Sequence, residues 1–470
     1  MRTPDDTLVA PPFSADGTLT PFQRVGYAAG DFANNMSWTL VSNYLLFFLT
    51  NVALLPSTLA GVMLFVPRLF DAFIDPLIGS LSDRTQSRWG RYRPYILFAC
   101  VPMLVLNVLT FSTFPSWSVG GRASWAFVTY FLLVLLYSAI NIPYSALAAA
   151  VTRNAESRTS LASYRMTAAF LAGGILSLGL LPIVNWIGGG DQALGYQRAA
   201  ILFSLIALPF YLWTFFANKE VVHVPHVKVR LRSLLGTLKG NTPVWLLVGA
   251  FLAWGLMLGA LSMKLYYFTY NSGNELLFGS TTVVQFGLAA VGAFAVTPLV
   301  KRVRNKATLA IVGFFGGGIV NIVWFFVPAA GGPGAIVAFY AMAGLIGLSW
   351  GLVLASIYGM IPDITEYTIH RYRIHAAGFV SAFITFALKV GTAAAGLGAG
   401  ALLGVVGYVA NQAQSESTLF WINLSANVFI GVMMLAGGVC LFFYRLDKET
   451  YGRIVTELDT LGDRQVEEMA

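Results

Sequence analysis

Long apolar runs alternate with short polar breaks along almost the entire chain. The runs are continuous over about 20 to 30 residues, the length a helix needs to cross a hydrocarbon core about 30 Å thick. Ten-residue alternation, the mark of a membrane barrel strand, is missing, so the pattern predicts helices. Twelve spans are predicted, at roughly 24–52, 57–82, 94–114, 123–151, 160–187, 196–218, 243–271, 275–300, 307–328, 334–361, 375–408 and 418–445. The longest internal polar break holds VVHVPHVKVRLRSLLGTLKGN. The expected organisation is an all-α membrane protein: a six-helix half over 1–218, a linker over 219–242, a second six-helix half over 243–446 and a tail over 447–470.

The halves carry a faint repeat. DPLIGSLSDR follows the second span and TPLVKRVRNK the eighth, aligning Pro76 with Pro298 and Leu77 with Leu299, while Asp75 meets Thr297. Paired halves related by an axis along the membrane normal predict the major facilitator architecture, with a central cavity between them. Clustered glycines such as VGTAAAGLGAGALLG read as close helix contacts rather than as a phosphate cradle, because no strand precedes them.

Composition agrees with a polytopic chain: 57% of residues are hydrophobic and 11% charged, and mean hydropathy is +0.70. The first residues are polar and hold no cleavable apolar core, so no signal peptide is expected. Cys100 and Cys440 sit in apolar runs, and His223 and His226 lack partners at ligand spacing, which argues against a disulfide framework or a metal site. The formal charge of +8 has a topological origin. With a cytoplasmic N-terminus, Arg2, Arg24, Arg84, Arg88, Arg91, Arg93, Arg153, Arg158, Lys219, Lys228, Arg230, Arg232, Lys239, Lys301, Arg302, Arg304, Lys306, Arg371, Arg373, Arg445, Lys448, Arg453 and Arg464 all fall inside. Arg122 and Arg198 fall outside. Both termini are therefore expected in the cytoplasm, and the basic balance calls for no nucleic acid.

The chemistry concentrates in Arg68 to Pro94, RLFDAFIDPLIGSLSDRTQSRWGRYRP. Arg68, Asp71 and Asp75 follow at steps of three and four and share one helix face. Charges at that depth cost several kcal/mol each and normally face a water-filled path. Asp71 and Asp75 could bind a monovalent cation or share a proton; the competing reading is an internal pair of Arg68 with Asp71. Asp83, Arg84 and Arg91, with Gly90 and Arg93, read as a topology signal and gate latch, and Asp363 and Glu366 as gate charges at the end of span ten. In span one, Asp31, Asn35 and Trp38 share a face; span four offers Tyr137, Ser138, Asn141 and Pro143. Amides beside aromatic rings suit a polyhydroxyl ligand, although each amide could equally join two helices. Arg165 lies just inside span five, as a ligand donor or a snorkelling cation, and Lys389 lies deep in FITFALKVGTAAAG. Lys264 in span seven has no assigned role.

The motifs resemble those of the glycoside-pentoside-hexuronide:cation symporters, the major facilitator group that includes the melibiose permease. The likeness covers nearly the whole chain, through VGYAAGDFANN, RLFDAFIDPLIGSLSDRTQSRWGRYRPY, NIPYSALAAAVTRNAESRTSLASYRM, PDITEY and the lone Lys389. It implies that Asp71, Asp75 and Ser138 serve a coupling cation with Lys389 nearby, and that Asn35, Asn141, Arg165 and Lys389 hold a sugar. Trp38, Tyr137 and Thr385 complete the expected substrate set. Asn35 and Asn141 stand where the permease has aspartates, Asn34 where it has a lysine, Ser145 where it has a tryptophan, and Ile74 where it has an asparagine that gives the cation an oxygen. Losing a neutral oxygen ligand harms a metal ion more than a proton, so a proton is expected ahead of sodium. Two sugar-site acids replaced by amides, with Arg165 and Lys389 kept, favour an acidic sugar such as a hexuronate.

The expectation is thus a cation-coupled importer of a glycoside, pentoside or hexuronide, working by alternating access in a bacterial inner membrane, without a cofactor and as a monomer. Two rivals share the fold: a cation-coupled transporter of a lipid or other amphiphile, and a membrane sensor, for which the tail is short. No nucleophile, base and third group assemble into an enzyme.

Overall fold

The computed structural model describes residues 18–152, 154–221, 231–372, 374 and 377–457. Arg2, Arg153, His223, His226, Lys228, Arg230, Arg373 and Arg464 lie outside these residues, as do the side chains of Arg158 and Arg232. Among the described residues the chain is helical throughout and has no strand.

The first six spans form helices α1 (Pro21–Phe47), α2 (Ser57–Arg84), α3 (Arg93–Thr110), α4 (Val119–Val151), α5 (Ala155–Gly188) and α6 (Gln192–Ala217). A short helix α7 (Leu231–Gly236) lies in the linker, and the remaining helices are α8 (Thr242–Ala260), α9 (Ser262–Tyr266), α10 (Leu276–Arg302), α11 (Ala307–Phe325), α12 (Pro333–Tyr372), α13 (Ala377–Val405), α14 (Glu416–Asn423) and α15 (Ile430–Phe442). Local sequence sets their starts. Thr20 and Gln23 form a reciprocal capping box ahead of Pro21, and Ser118, Asn154, Asp191, Asn241 and Ser415 each accept a backbone N–H three residues on.

Among the described residues, eleven helical segments are long and apolar enough to cross a membrane. The remaining predicted span, the first, is long but carries Asp31, Asn34, Asn35 and Asn43, of which Asp31, Asn34 and Asn43 are buried against neighbouring helices. The tenth span runs to Tyr372, about three turns past the predicted residue 361 into polar sequence, because the helix continues through Pro362. Spans one, seven and twelve each contain a π-helical turn, at Phe48–Val52, Tyr267–Asn271 and Leu424–Phe429, which periodicity does not reveal.

In the first half α1 packs on α5 and α6, and α3 on α4 and α6; in the second, α8 packs on α13 and α15, and α12 on α10 and α11. The halves meet along two seams, α2 with α13 and α5 with α10. These seams are one contact exchanged, since the sequence repeat relates α2 to α10. A Cβ on Gly400 would lie 2.5 Å from the Cα of Gly61, and one on Gly279 2.2 Å from the Ser177 carbonyl oxygen, so both seams are closed to backbone contact. Both glycines lie far from the end that carries Arg84, Arg88, Arg91, Lys301 and Arg302, here termed the basic end.

Candidate functional site

Asp71 and Asp75 stand one turn apart on α2, and Lys389 on α13 reaches across the seam to both. Its Nζ lies 2.6 Å from Asp71 Oδ2 and also pairs with Asp75 Oδ2. Ser138 of α4 donates a short hydrogen bond to Asp71 Oδ1. The structure therefore brings Asp71, Asp75, Ser138 and Lys389 into one cluster. Two carboxylates facing one ammonium leave a net negative charge. Three of the four carboxylate oxygens are engaged, whereas Asp75 Oδ1 is buried without a hydrogen-bond partner among the described residues. A buried orphan acceptor is costly and is the natural landing point for a proton or cation.

The pair of Arg68 with Asp71 weighed from spacing is not formed. Arg68 donates from Nε to the Tyr130 hydroxyl at 3.0 Å and from Nη2 to Ser42 Oγ at 3.3 Å, and its guanidinium lies 5.1 Å from the centre of the Trp38 ring. Helical spacing places the two side chains on one face but does not decide which neighbour each meets.

Beside the cluster lies a cavity of about 400 Å³ between the halves. One wall is polar, with Asn35, Trp38, Tyr137, Asn141, Arg68 and Asp71; the other is apolar, with Trp254, Leu258, Trp350, Leu354 and Leu388. Trp38 and Tyr137 stack with centroids 4.5 Å apart. An apolar chamber of this size with a few convergent polar groups is the usual form of a small-ligand site. Asn35 donates to the Asp31 carbonyl at 2.9 Å, and Asn141 accepts from Asn34 at 3.5 Å, while Tyr211 donates to Asn34 at 2.7 Å. Of the expected sugar ligands, Asn35 and Asn141 thus both line the cavity and hold neighbouring groups.

Arg165 and Thr385 are placed differently from expectation. Arg165 does not snorkel: it forms a short pair with buried Asp31 and lies 4.8 Å from the centre of the Tyr144 ring. Removing one partner of such a buried pair costs about 3–5 kcal/mol, which gives this arginine a structural task of its own. Thr385 donates to the Ser381 carbonyl at 3.1 Å and is not on the cavity wall, where Thr392, one turn beyond Lys389, stands instead.

Of the expected gate residues, Asp83 accepts from the Tyr92 hydroxyl at 2.8 Å, and burial, with that carboxylate, raises the Tyr92 phenol above its ordinary range. Arg91 sits in a loop whose backbone is gripped by Glu220, which accepts from the N–H groups of Arg91, Tyr92 and Arg93 at 2.8, 2.7 and 3.0 Å. Arg84 is exposed at the end of α2. Lys306 pairs with Asp363 at 2.8 Å, and Glu366, next on α12, keeps its buried Oε2 without a hydrogen-bond partner among the described residues.

Sequence reading missed a polar latch at the opposite end. Asn51 donates to Tyr270 at 2.7 Å, accepts from Tyr408 at 2.5 Å, and its carbonyl accepts from Asn411 at 2.7 Å. Thr50 and Tyr266 share a 2.6 Å hydrogen bond, and Tyr270 and Tyr408 one of 2.8 Å. Asn51 and Tyr270 stand on π-helical turns, which aim them across the divide between the halves.

The family model described as "MFS/sugar transport protein" matches residues 26–448. Similar curated proteins include the isoprimeverose transporter of Lactiplantibacillus pentosus, 32% identical over 91% of this chain and 89% of that protein. The glucuronide carrier protein homolog of Escherichia coli (strain K12) is 31% identical over 93% and 94%. A protein of the same strain, provisionally named as a 2,3-dihydroxypropane-1-sulfonate exporter, is 31% identical over 93% and 96%.

Proposed function

We propose that this chain, which belongs to the MFS/sugar transport proteins and within them to the glycoside-pentoside-hexuronide:cation symporters, imports a glycoside, pentoside or hexuronide together with one cation. It is a multi-span membrane transporter and not an enzyme. The observation that carries the reading is the inter-half cluster beside the cavity, in which Asp75 Oδ1 is a buried acceptor left open. A single open oxygen beside apolar Ile74 suits a proton better than sodium, which needs several oxygen ligands. Ion uptake at Asp75 weakens the hold on Lys389, whose ammonium is then available to the sugar in the cavity. Asn35 and Asn141 supply further donors and acceptors, with Trp38 and Tyr137 packing on the sugar ring.

Alternating access follows from where the halves are tied. The latch around Asn51 and the backbone-tight glycine contacts lie at one end. The positive-inside rule assigns the basic end to the cytoplasm, so this conformation has its extracellular side shut and both termini inside. The protein acts as a monomer in the bacterial inner membrane. The test is uptake of labelled glycosides, pentosides and hexuronates by proteoliposomes under a pH gradient or a sodium gradient imposed separately. Accumulation above equilibrium with the pH gradient alone is expected, and equilibration without accumulation under both gradients refutes the coupling.

A further inference from the structure

Lysine at membrane depth is costly unless its charge is met. Lys389 meets Asp71 and Asp75, Arg165 meets Asp31, and Lys306 meets Asp363. Lys264, buried on α9, meets no carboxylate among the described residues. Its Nζ donates to Asn427 Oδ1 at 2.6 Å and lies 3.8 Å from the centre of the Trp324 ring. Asn427 stands on the third π-helical turn, and its own amide nitrogen is fixed by the Asn423 carbonyl at 3.2 Å and side-chain oxygen at 2.6 Å, so its oxygen is held toward the lysine. An amide and a ring face orient the ammonium but bring no negative charge, and at least one of its three N–H groups is left over.

The lysine lines a small chamber of about 30 Å³ that shares Asn43, Leu261, Phe286 and Trp350 with the main cavity. Asn43 and Gln285 also line it, and neither side chain has a hydrogen-bond partner among the described residues. The space holds one or two water-sized groups, not a sugar ring. Lys264 lines the small chamber and Arg68, Lys389 and Asp71 the main cavity; with Asp75 paired to Lys389, three cations stand against two carboxylates. A coupling cation raises the excess of positive charge further, and a neutral sugar does nothing to lower it.

We infer that Lys264 is the specificity residue of the transporter and receives the acidic group, carboxylate or sulfonate, of an anionic polyhydroxyl substrate whose remaining part occupies the main cavity. The inference rests on the sugar-transport reading and moves the anion contact away from Arg165, whose charge is met by Asp31, leaving Lys389 to the sugar hydroxyls once the coupling ion releases it. Asn43 and Gln285 add neutral donors to the same oxyanion.

Binding to the full-length protein in nanodiscs, followed by calorimetry, tests this with matched acidic and neutral probes: glucuronate with glucose, galacturonate with galactose, and 2,3-dihydroxypropane-1-sulfonate with glycerol. The carboxylate and sulfonate pairs tell the two acid chemistries apart. Wild type is expected to bind an acidic member more tightly than its neutral twin. K264Q weakens the acidic member by about 30-fold or more and leaves the neutral twin within about twofold, and K264R keeps most of the preference. Equal weakening of both twins in K264Q, or an acid preference that survives it, overturns the assignment. A neutral sugar that requires chloride in wild type but not in K264Q also overturns it, since the lysine then holds a free ion. Binding of neutral sugars alone, or of no probe, sinks this inference; the sugar-transport reading falls only if labelled glycosides, pentosides and hexuronates are all refused in the uptake assay.

Discussion

Replacing Asp75 with asparagine removes one charge from the cluster while preserving its shape. Lys389 keeps its 2.6 Å contact with Asp71, so the site passes from net negative to neutral. A proton loses its acceptor outright, and for a monovalent cation held elsewhere in the cluster, about 4 Å away, the lost carboxylate charge contributes about 4 kcal/mol at an effective dielectric constant of about 20, or about a thousandfold in affinity. The Asp75 side chain is 28% exposed, so solvent screens part of this, and a loss of about a hundredfold is a fair lower bound. A pH gradient of one unit supplies about 1.4 kcal/mol per proton, which supports about tenfold accumulation at one proton per sugar. Wild-type proteoliposomes are expected to approach that ratio, and Asp75→Asn to stop near one, with sugar exchange across the membrane continuing because the cavity wall is unchanged. Tenfold accumulation by Asp75→Asn, at matched protein insertion, would refute both the site and the coupling argument.

Tyr408→Phe removes the hydrogen bonds to Asn51 and Tyr270, worth about 1–2 kcal/mol together, and should shift the conformational balance toward opening at that end by about five- to thirtyfold, read as faster labelling, from that side, of a cysteine placed at Leu258 on the cavity wall. Arg165→Met leaves Asp31 buried and unpaired and should lower stability by about 3–5 kcal/mol in thermal unfolding, with Asp31→Asn in the same chain restoring most of the loss. Gly400→Ala places a methyl group 2.5 Å from the Gly61 Cα and should hold the α2–α13 seam apart, so that transport falls while binding from the open side persists.

The twelve-span fold was legible because its signal is additive: each span contributes some twenty apolar residues, and a misplaced boundary costs little. The first span shows the limit, since Asp31, Asn34, Asn35 and Asn43 dilute its hydropathy while burial hides most of them from lipid. Asp71, Asp75, Ser138 and Lys389 were legible as a set because buried charges are rare and a family likeness grouped them. What stayed hidden was partnership. Arg68 and Asp71 share a face yet do not pair, and Arg165 is bound to Asp31 from another helix, because packing angles decide which side chains meet. The Asn51 latch and the Lys264 chamber depend on π-helical turns, where one inserted residue rotates the following side chains and defeats a 3.6-residue period. Glu220 carried a weaker trace: it holds the loop at Gly90, whose φ of +105° admits glycine readily and other residues poorly.

The position of Lys389 explains why one cluster could govern both ion and sugar. The acids belong to α2 and the lysine to α13, so their ion pair is also a tie between the halves. A cation arriving at Asp75 competes with the ammonium for the same two carboxylates, and whatever it gains in binding is taken from that tie. The freed ammonium is then closer in energy to a cavity ligand than to the seam. By linkage, a sugar that engages Lys389 must strengthen cation binding by the same factor as the cation strengthens sugar binding. In the proposed coupling the lysine is the coupling element and Asp75 the ion sensor. Lys389→Met should therefore leave a protein that still responds to the ion but transmits nothing to the substrate: cation affinity unchanged or raised, and sugar affinity independent of the cation.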